Sequence, residues 1–301
     1  MADSADRVVI EAALNGGQSQ AENPAVAITP AEVAAEALRC AEAGASVVHI
    51  HAQAADGTWR ADGDWYAAAI RAIRAVAPGL LIGLTSLRPE GVPIATINDI
   101  LAALAAAPET RPDLVSVNLG HIVAWERDGA PGTRRTLHYP NSHADLAAIL
   151  ARCAATGIVP EMGVMDIGFI GNAVALRHDG LLPALPWFLL ELDTPAFGSG
   201  RQVAPATVAN YDHLAHLLRE HFPAAPWAAH GHGLATYPIL ERALATGAHV
   251  RVGFEDTLYL PDGSLAPSNA SQVAWAVAAA RALGREPATV TETRAIIGCG
   301  V

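Results

Sequence analysis

Residues 45–52, Ala45-Ser46-Val47-Val48-His49-Ile50-His51-Ala52, follow a helical pattern that runs from Pro30 to Ala43 and stops at Gly44. Thr29 caps that helix and Pro30 takes its first position. The chain then turns into an apolar strand carrying two histidines two residues apart. Strand side chains alternate between faces, so His49 and His51 share one side while Val48 and Ile50 take the other. A strand apolar on one side and imidazole-bearing on the other belongs in a sheet covered by helices, with its polar side turned toward a shared interior.

The same unit repeats along the chain. Strands are expected near Arg7–Leu14, Ser46–Ala52, Leu80–Thr85, Leu114–Leu119, Ile158–Met165, Trp187–Leu192, Trp227–Gly231 and His249–Phe254. Helical patterns fill Pro30–Ala43, Asp64–Val76, Ile94–Ala106, Ser142–Thr156, Phe169–His178, Pro205–His221, Thr236–Ala245 and Ser268–Leu283. Eight strand–helix units with no Gly/Ser linker spell a (β/α)8 TIM barrel occupying residues 1–301 as one domain. A doubly wound open sheet usually places a glycine-rich turn directly on a helix. Here Asn15-Gly16-Gly17-Gln18 leads into a long loop that ends at Thr29. A short extra helix, Glu292–Ile297, is expected to pack outside the barrel.

Composition narrows the function. Of 301 residues, 51% are hydrophobic and 16% charged, which gives a large core, and the net charge of −11 leaves no basic tract for nucleic acid. Cys40, Cys153 and Cys299 are odd in number and lie in no CxxC arrangement, as in a reduced cytoplasmic protein. The first residues lack a signal-peptide pattern, and no apolar run reaches the roughly 18 residues of a membrane span. A soluble chain acting on small molecules is expected.

The inward phase of the strands is unusually polar: Glu11, His49, His51, Thr85, Ser116, Asn118, Glu161, Glu191, His230, Arg251 and Glu255. Unpaired buried polar groups cost about 1–3 kcal/mol each, so such a ring implies mutual bonding or a ligand. The late segment Val250-Arg251-Val252-Gly253-Phe254-Glu255-Asp256 carries an acid onto the same face by alternation. His49, His51 and Glu255 thus form a candidate open ligand set for a catalytic divalent metal. Glu255 has an alternative partner in Arg251 on the same strand. Asp256, where strand phase is lost, is either a general base or a loop cap. Thr85, Ser116 and Asn118 suit a substrate carboxylate, or bond one another. His230 and His232, separated by Gly231, are expected to line a loop, and His138 and His143 to lie on the surface.

The chain resembles the β-keto acid cleavage enzyme family over nearly its whole length. The resemblance rests on Thr29-Pro30-Ala31-Glu32, on Ala41–His51, on Pro112-Asp113-Leu114-Val115-Ser116-Val117-Asn118-Leu119-Gly120 and on Val159-Pro160-Glu161. It continues through Arg251-Val252-Gly253-Phe254-Glu255-Asp256-Thr257, Ser268-Asn269-Ala270, Leu283-Gly284-Arg285 and Ala288-Thr289. What it implies is a homotetrameric TIM-barrel enzyme that uses acetyl-CoA to convert a β-keto acid into acetoacetate and a new acyl-CoA. It further implies zinc on His49, His51 and Glu255, with Asp256 as base and Arg251 as its partner. Thr85, Ser86, Ser116 and Asn118 fall where the family binds the acid end of the substrate.

Several positions depart from the family pattern. Ser86-Leu87-Arg88 stands where many members carry Thr-Gly-Gly, and Arg88 is a candidate replacement for carboxylate binding. Gln18 replaces an acid, Gln53 an arginine and Gly163 a second acid. The strand-seven GxGR block reads Gly231-His232-Gly233-Leu234. Metal and base positions survive while the substrate shell changes. This pattern implies a different acyl side chain, away from the amino-substituted substrate. Two other readings remain: a metal-dependent hydrolase, although amidohydrolase barrels place HxH on strand one, and a non-catalytic small-molecule binder.

Overall fold

The computed structural model describes residues 6–127, 134–193 and 203–300. The first five residues, read above for leader character, lie outside it. Eight parallel strands close into a barrel: β1 Ile10–Ala13, β2 Val47–Ile50, β3 Leu81–Leu84, β4 Leu114–Asn118, β5 Val159–Val164, β6 Trp187–Glu191, β7 Trp227–His230 and β8 His249–Val252. Each pairs with the next in sequence, and β8 closes on β1 through Val250–Ile10 and Arg251–Glu11. Helices α1 Pro30–Ala43, α2 Gly63–Val76, α3 Ile94–Ala105, α4 His143–Thr156, α5 Ile167–His178, α6 Val208–His221, α7 Thr236–Ala245 and α8 Asn269–Ala282 form the outer ring. This is the TIM barrel expected from the alternating pattern. Among the described residues, no helix is long and apolar enough to cross a membrane.

Local chemistry sets the helix starts. Thr29 and Glu32 close a reciprocal capping box on α1, and Ser142 and Asp145 do so on α4. Outward strand residues such as Val48, Ile50, Ile82, Leu84, Val115 and Val117 pack with the helices in one large core. Inward residues are layered. At the N-terminal end Val9, Val47, Leu81, Leu114, Val159 and Trp187 make a separate apolar plug. Above them the interior turns polar, so the strands' C-terminal ends converge on a charged mouth.

Three features differ from the sequence expectation. The first strand is divided: Arg7–Val8 pairs with Glu286–Pro287 outside the barrel, while Ile10–Ala13 enters it. The Val9 N–H between them donates to His249 Nδ1 at 3.0 Å. The connection after β4 is not a bare loop, because Ile122–Arg127 and Arg134–Tyr139 form an antiparallel pair. The terminal helix, α9 Val290–Ile296, does not lie outside. Ile297 and Cys299 join the apolar plug, Thr293 donates to Ser46 Oγ at 2.7 Å, and Arg294 reaches Asp113 at 2.9 Å. The tail therefore closes the bottom of the barrel.

Candidate active site

β2 delivers His49 and His51 to the mouth, both almost fully buried. Asn15 fixes the second: its amide oxygen accepts from the His51 N–H at 2.9 Å, and its amide nitrogen donates to the His51 carbonyl at 3.0 Å. Glu255 arrives by a different route than strand alternation. β8 ends at Val252, and Gly253 adopts φ 146°, where a β-carbon would lie 2.1 Å from the Ala13 carbonyl oxygen. Only glycine allows this crossing. The chain then turns, with Asp256 and Thr257 N–H groups donating to the Gly253 carbonyl. Glu255 is thereby carried across β1 toward β2. Buried Asn269 anchors the turn by accepting from Phe254 N–H at 2.7 Å and donating to the Leu14 carbonyl at 3.1 Å.

The result is a tight triangle. His49 Nε2 and His51 Nε2 are 3.1 Å apart, and Glu255 Oε2 lies 3.6 and 3.3 Å from them. A tetrahedral zinc shell with bonds of about 2.0–2.1 Å has donor–donor edges of roughly 3.3–3.4 Å. The observed edges match. Glu255 Oε2 is buried with no hydrogen-bond partner among the described residues. Its other oxygen meets Arg251 Nη2 at 2.7 Å, so the two proposed roles of Glu255 are divided between its two oxygens. Burial acts to raise the Glu255 carboxyl, but Arg251, His51 and His49 together hold it well below the usual carboxylate range. Burial pushes the His49 imidazole well below its usual range, against the pull of Glu255, and leaves it neutral. An ionised carboxylate and a neutral imidazole are the forms that bind a metal.

A second donor set, Glu11, His49 and Glu161, lies one layer deeper. It fits a cation less well. Burial, followed by the proximity of Glu161, raises Glu11 well above the usual range, and Glu161 already accepts from the Trp187 indole at 2.9 Å. A carboxyl that keeps its proton is a poor ligand.

Asp256 sits beside the triangle, essentially buried. Arg251 engages it through Nη2 to Oδ1 at 2.9 Å and Nε to Oδ2 at 3.2 Å. His230 Nδ1 lies 3.2 Å from Oδ1. Burial raises the Asp256 carboxyl even though Arg251 and His230 oppose it, which moves it toward the range of a working base. Burial also acts to lower Arg251, but Asp256 and Glu255 override it and lift the guanidinium well above its ordinary value.

Thr85 and Ser86 follow β3, and Ser116 and Asn118 lie on β4. Thr85 Oγ1 accepts from Leu87 N–H at 2.9 Å and Ser116 Oγ from Ser86 N–H at 3.3 Å. Both contacts are to backbone N–H groups and neither joins Thr85, Ser116 and Asn118 to one another, and each hydroxyl retains a proton to donate. Arg88 does not face substrate. Its guanidinium donates to Val92 O, Tyr139 OH, Asn141 Oδ1 and Pro140 O, tying the β3 loop to residues 139–141. Gln18 and Gln53 are also structural: Gln53 accepts from Gly17 N–H and donates to the Gln18 carbonyl, while Gln18 donates to the Glu255 carbonyl. His230 is a fully buried strand residue rather than a loop one, and it stands outside the ligand triangle. Asn15, Asn269 and the His230–Asp256 contact were missed by sequence reasoning. The Asn15-Gly16-Gly17 run after β1 was the available signal for the first.

Fold and site together define a (β/α)8 barrel with a cluster of three donors that could hold a metal ion and a buried Arg–Asp pair at its C-terminal mouth. Residues 7–299 match the family model of the beta-keto acid cleavage enzymes, and the chain belongs to that family. A 3-keto-5-aminohexanoate cleavage enzyme of Fusobacterium nucleatum is 29% identical over 294 residues, covering 97% of this chain and 98% of its own. A 3-oxoadipate:acetyl-CoA acetyltransferase of Cupriavidus necator is 28% identical over 306 residues, covering 96% and 94%. Apo ObcA superposes with a TM-score of 0.75 at 19% identity over 92% of this chain. This chain spans 66% of ObcA's length. The 3-keto-L-gulonate-6-phosphate decarboxylase of Vibrio cholerae superposes with a TM-score of 0.52 at 13% identity over 93% of this chain and 97% of its own. At these identities both structures bear on the fold alone.

Proposed function

We propose that the protein is a zinc-dependent enzyme that uses acetyl-CoA to cleave a β-keto acid, giving acetoacetate and a new acyl-CoA. The observation that carries this reading is the triangle of His49, His51 and Glu255 set directly beside Asp256 and Arg251. A divalent cation held by those three residues supplies Lewis-acid polarisation to a carbonyl oxygen. The protein's own groups do the rest. Thr85, Ser86 and Ser116 orient the acid end of the substrate through hydroxyl donors, and Asn118 through its amide nitrogen, which leaves Oδ1 for a neighbouring donor. Asp256, steadied by Arg251, takes a proton from the carbon between ketone and carboxylate.

That carbon forms a bond to the acetyl carbonyl as the thioester C–S bond breaks. The released CoA thiolate then bonds to the original ketone carbon, and the bond between that carbon and the former α-carbon breaks. Acyl-CoA departs, the acetoacetate carbanion regains a proton from Asp256, and all atoms are accounted for. The acetyl carbons of acetyl-CoA end in the ketone half of acetoacetate. Gly163, which stands where the family pattern has a second acid, supports an acyl side chain different from those of the named relatives. A homotetramer and a cytoplasmic setting belong to the same reading.

Incubating zinc-loaded protein with acetyl-CoA labelled in both acetyl carbons and a panel of β-keto acids tests it by mass spectrometry. The expected result is equimolar acyl-CoA and acetoacetate labelled at the ketone and methyl carbons. CoA-independent hydrolysis would instead support the hydrolase reading. Stoichiometric zinc without turnover on any member of the panel would support a binder.

A further inference from the structure

One acid of the mouth has no part in that mechanism. Glu191, at the C-terminal end of β6, points inward with 11% of its side chain exposed. Its Oε1 is buried without a hydrogen-bond partner among the described residues, and so is Nε2 of the neighbouring His230. Oε2 lies 3.8 Å from that nitrogen, too far for a hydrogen bond. Gly163 on β5 makes room for the carboxylate. A β-carbon there would fall 2.1 Å from Glu191 Oε1 and 2.4 Å from Asn118 Oδ1. Two oxygen acceptors therefore meet over a glycine on the wall spanned by β4, β5 and β6, across the mouth from His49 and His51 on β2.

A buried carboxylate oxygen facing an amide oxygen is unfavourable in isolation, because neither can donate to the other. A hydrogen-bond donor placed between them removes the conflict. The metal triangle and the Asp256–Arg251 pair occupy the β2 and β8 sides, so the β5–β6 wall is left for the variable end of a substrate. We propose that Glu191 and Asn118, with His230 behind them, form a specificity subsite for a β-keto acid whose side chain bears a hydrogen-bond donor, a hydroxyl or an ammonium group. This inference rests on the proposed β-keto acid reading. Gln18 stands in the first loop where the family pattern has an acid, whereas Glu191 supplies an acid from the opposite wall. The glycine at 163 and the acid at 191 make one unit, since a side chain at 163 would displace the carboxylate.

The test uses three β-keto acids of equal chain length whose side chains end in methyl, hydroxyl or ammonium. Each is assayed with acetyl-CoA for kcat/KM and titrated calorimetrically into zinc-loaded protein without acetyl-CoA. Wild type is expected to favour a donor-bearing acid over the methyl analogue by at least ~100-fold, as a site built around a buried polar group rejects a ligand that leaves it unpaired. In Glu191→Leu that ratio is expected to collapse toward one, while Glu191→Gln, which keeps an acceptor oxygen, retains part of it. The calorimetric affinities should follow the same order. A uniform loss on all three substrates in Glu191→Leu, with the ratio intact, overturns the subsite, as does a wild type that prefers the methyl acid. If no acid turns over but calorimetry preserves the ranking, the cleavage reading fails and the subsite stands.

Discussion

Gly16→Ala is a single-methyl test of how the ligand triangle is held. Gly16 lies in the first loop at φ 44°, and a β-carbon there would sit 2.0 Å from Glu255 Cγ, 2.3 Å from Cδ and 2.6 Å from Oε2. Ordinary carbon contacts begin near 3.5 Å, so the Glu255 side chain must retreat by roughly 1.5 Å. Donor–metal bonds tolerate only ~0.2 Å, and the displaced oxygen leaves the shell. Even changes behind a ligand typically cost 10–100-fold in metal affinity, so at least ~100-fold is expected here. The backbone cost is separate: a non-glycine residue in the left-handed region costs roughly 1–2 kcal/mol. Competition against a chromophoric chelator reads the first effect, and urea unfolding of metal-free protein reads the second. The reasoning is refuted if Gly16→Ala binds zinc as wild type does, because Glu255 would then not be needed where it stands.

Asp256→Asn is expected to lower kcat by about 10²–10⁴ with zinc stoichiometry unchanged, since the base lies outside the ligand set; activity within tenfold of wild type counts against it. Arg251→Met strands two buried carboxylates and should cost roughly 3–5 kcal/mol in urea unfolding, more at pH 8 than at pH 5 as those acids ionise. A loss below ~1 kcal/mol at both pH values contradicts the pairing. His249, buried with its Nδ1 accepting the Val9 N–H, is lowered by burial and then by Arg285 to about 3. The unfolded chain binds that proton near pH 6.5, so stability falls as pH drops from about 6.5 toward 3. His249→Asn should flatten this acid limb in thermal unfolding, and an unchanged slope would assign the acid sensitivity elsewhere.

Much of this was legible in the sequence, and the exceptions share a cause. Period-two alternation survives inside short barrel strands, so His49, His51, Ser116, Glu161, Glu191, His230 and Arg251 were read onto the inner face and lie there. Glu255 was placed there too, but for the wrong reason. β8 stops at Val252, and a glycine at φ 146° brings Glu255 in through a turn. Asn15 and Asn269 hold backbone groups distant in sequence, Asn269 reaching the Leu14 carbonyl, and such contacts leave no local pattern. The sequence expectation holds no strand pair at Ile122–Arg127 and Arg134–Tyr139, although the turn-forming dipeptides Asp128-Gly129 and Pro131-Gly132 separate the two segments in sequence. Arg88 was read from its charge alone, but four acceptors from Val92 and residues 139–141 claim its guanidinium. The tail helix reads as peripheral in sequence because nothing in so short a segment reveals that Ile297 and Cys299 just beyond it cap an open barrel end.

Anomalous diffraction at the zinc edge, from crystals grown with zinc, bears most directly on the central claim. The account predicts one peak about 2.0–2.2 Å from His49 Nε2, His51 Nε2 and a Glu255 oxygen. A peak among Glu11, His49 and Glu161 instead, or no peak at either place, would contradict it.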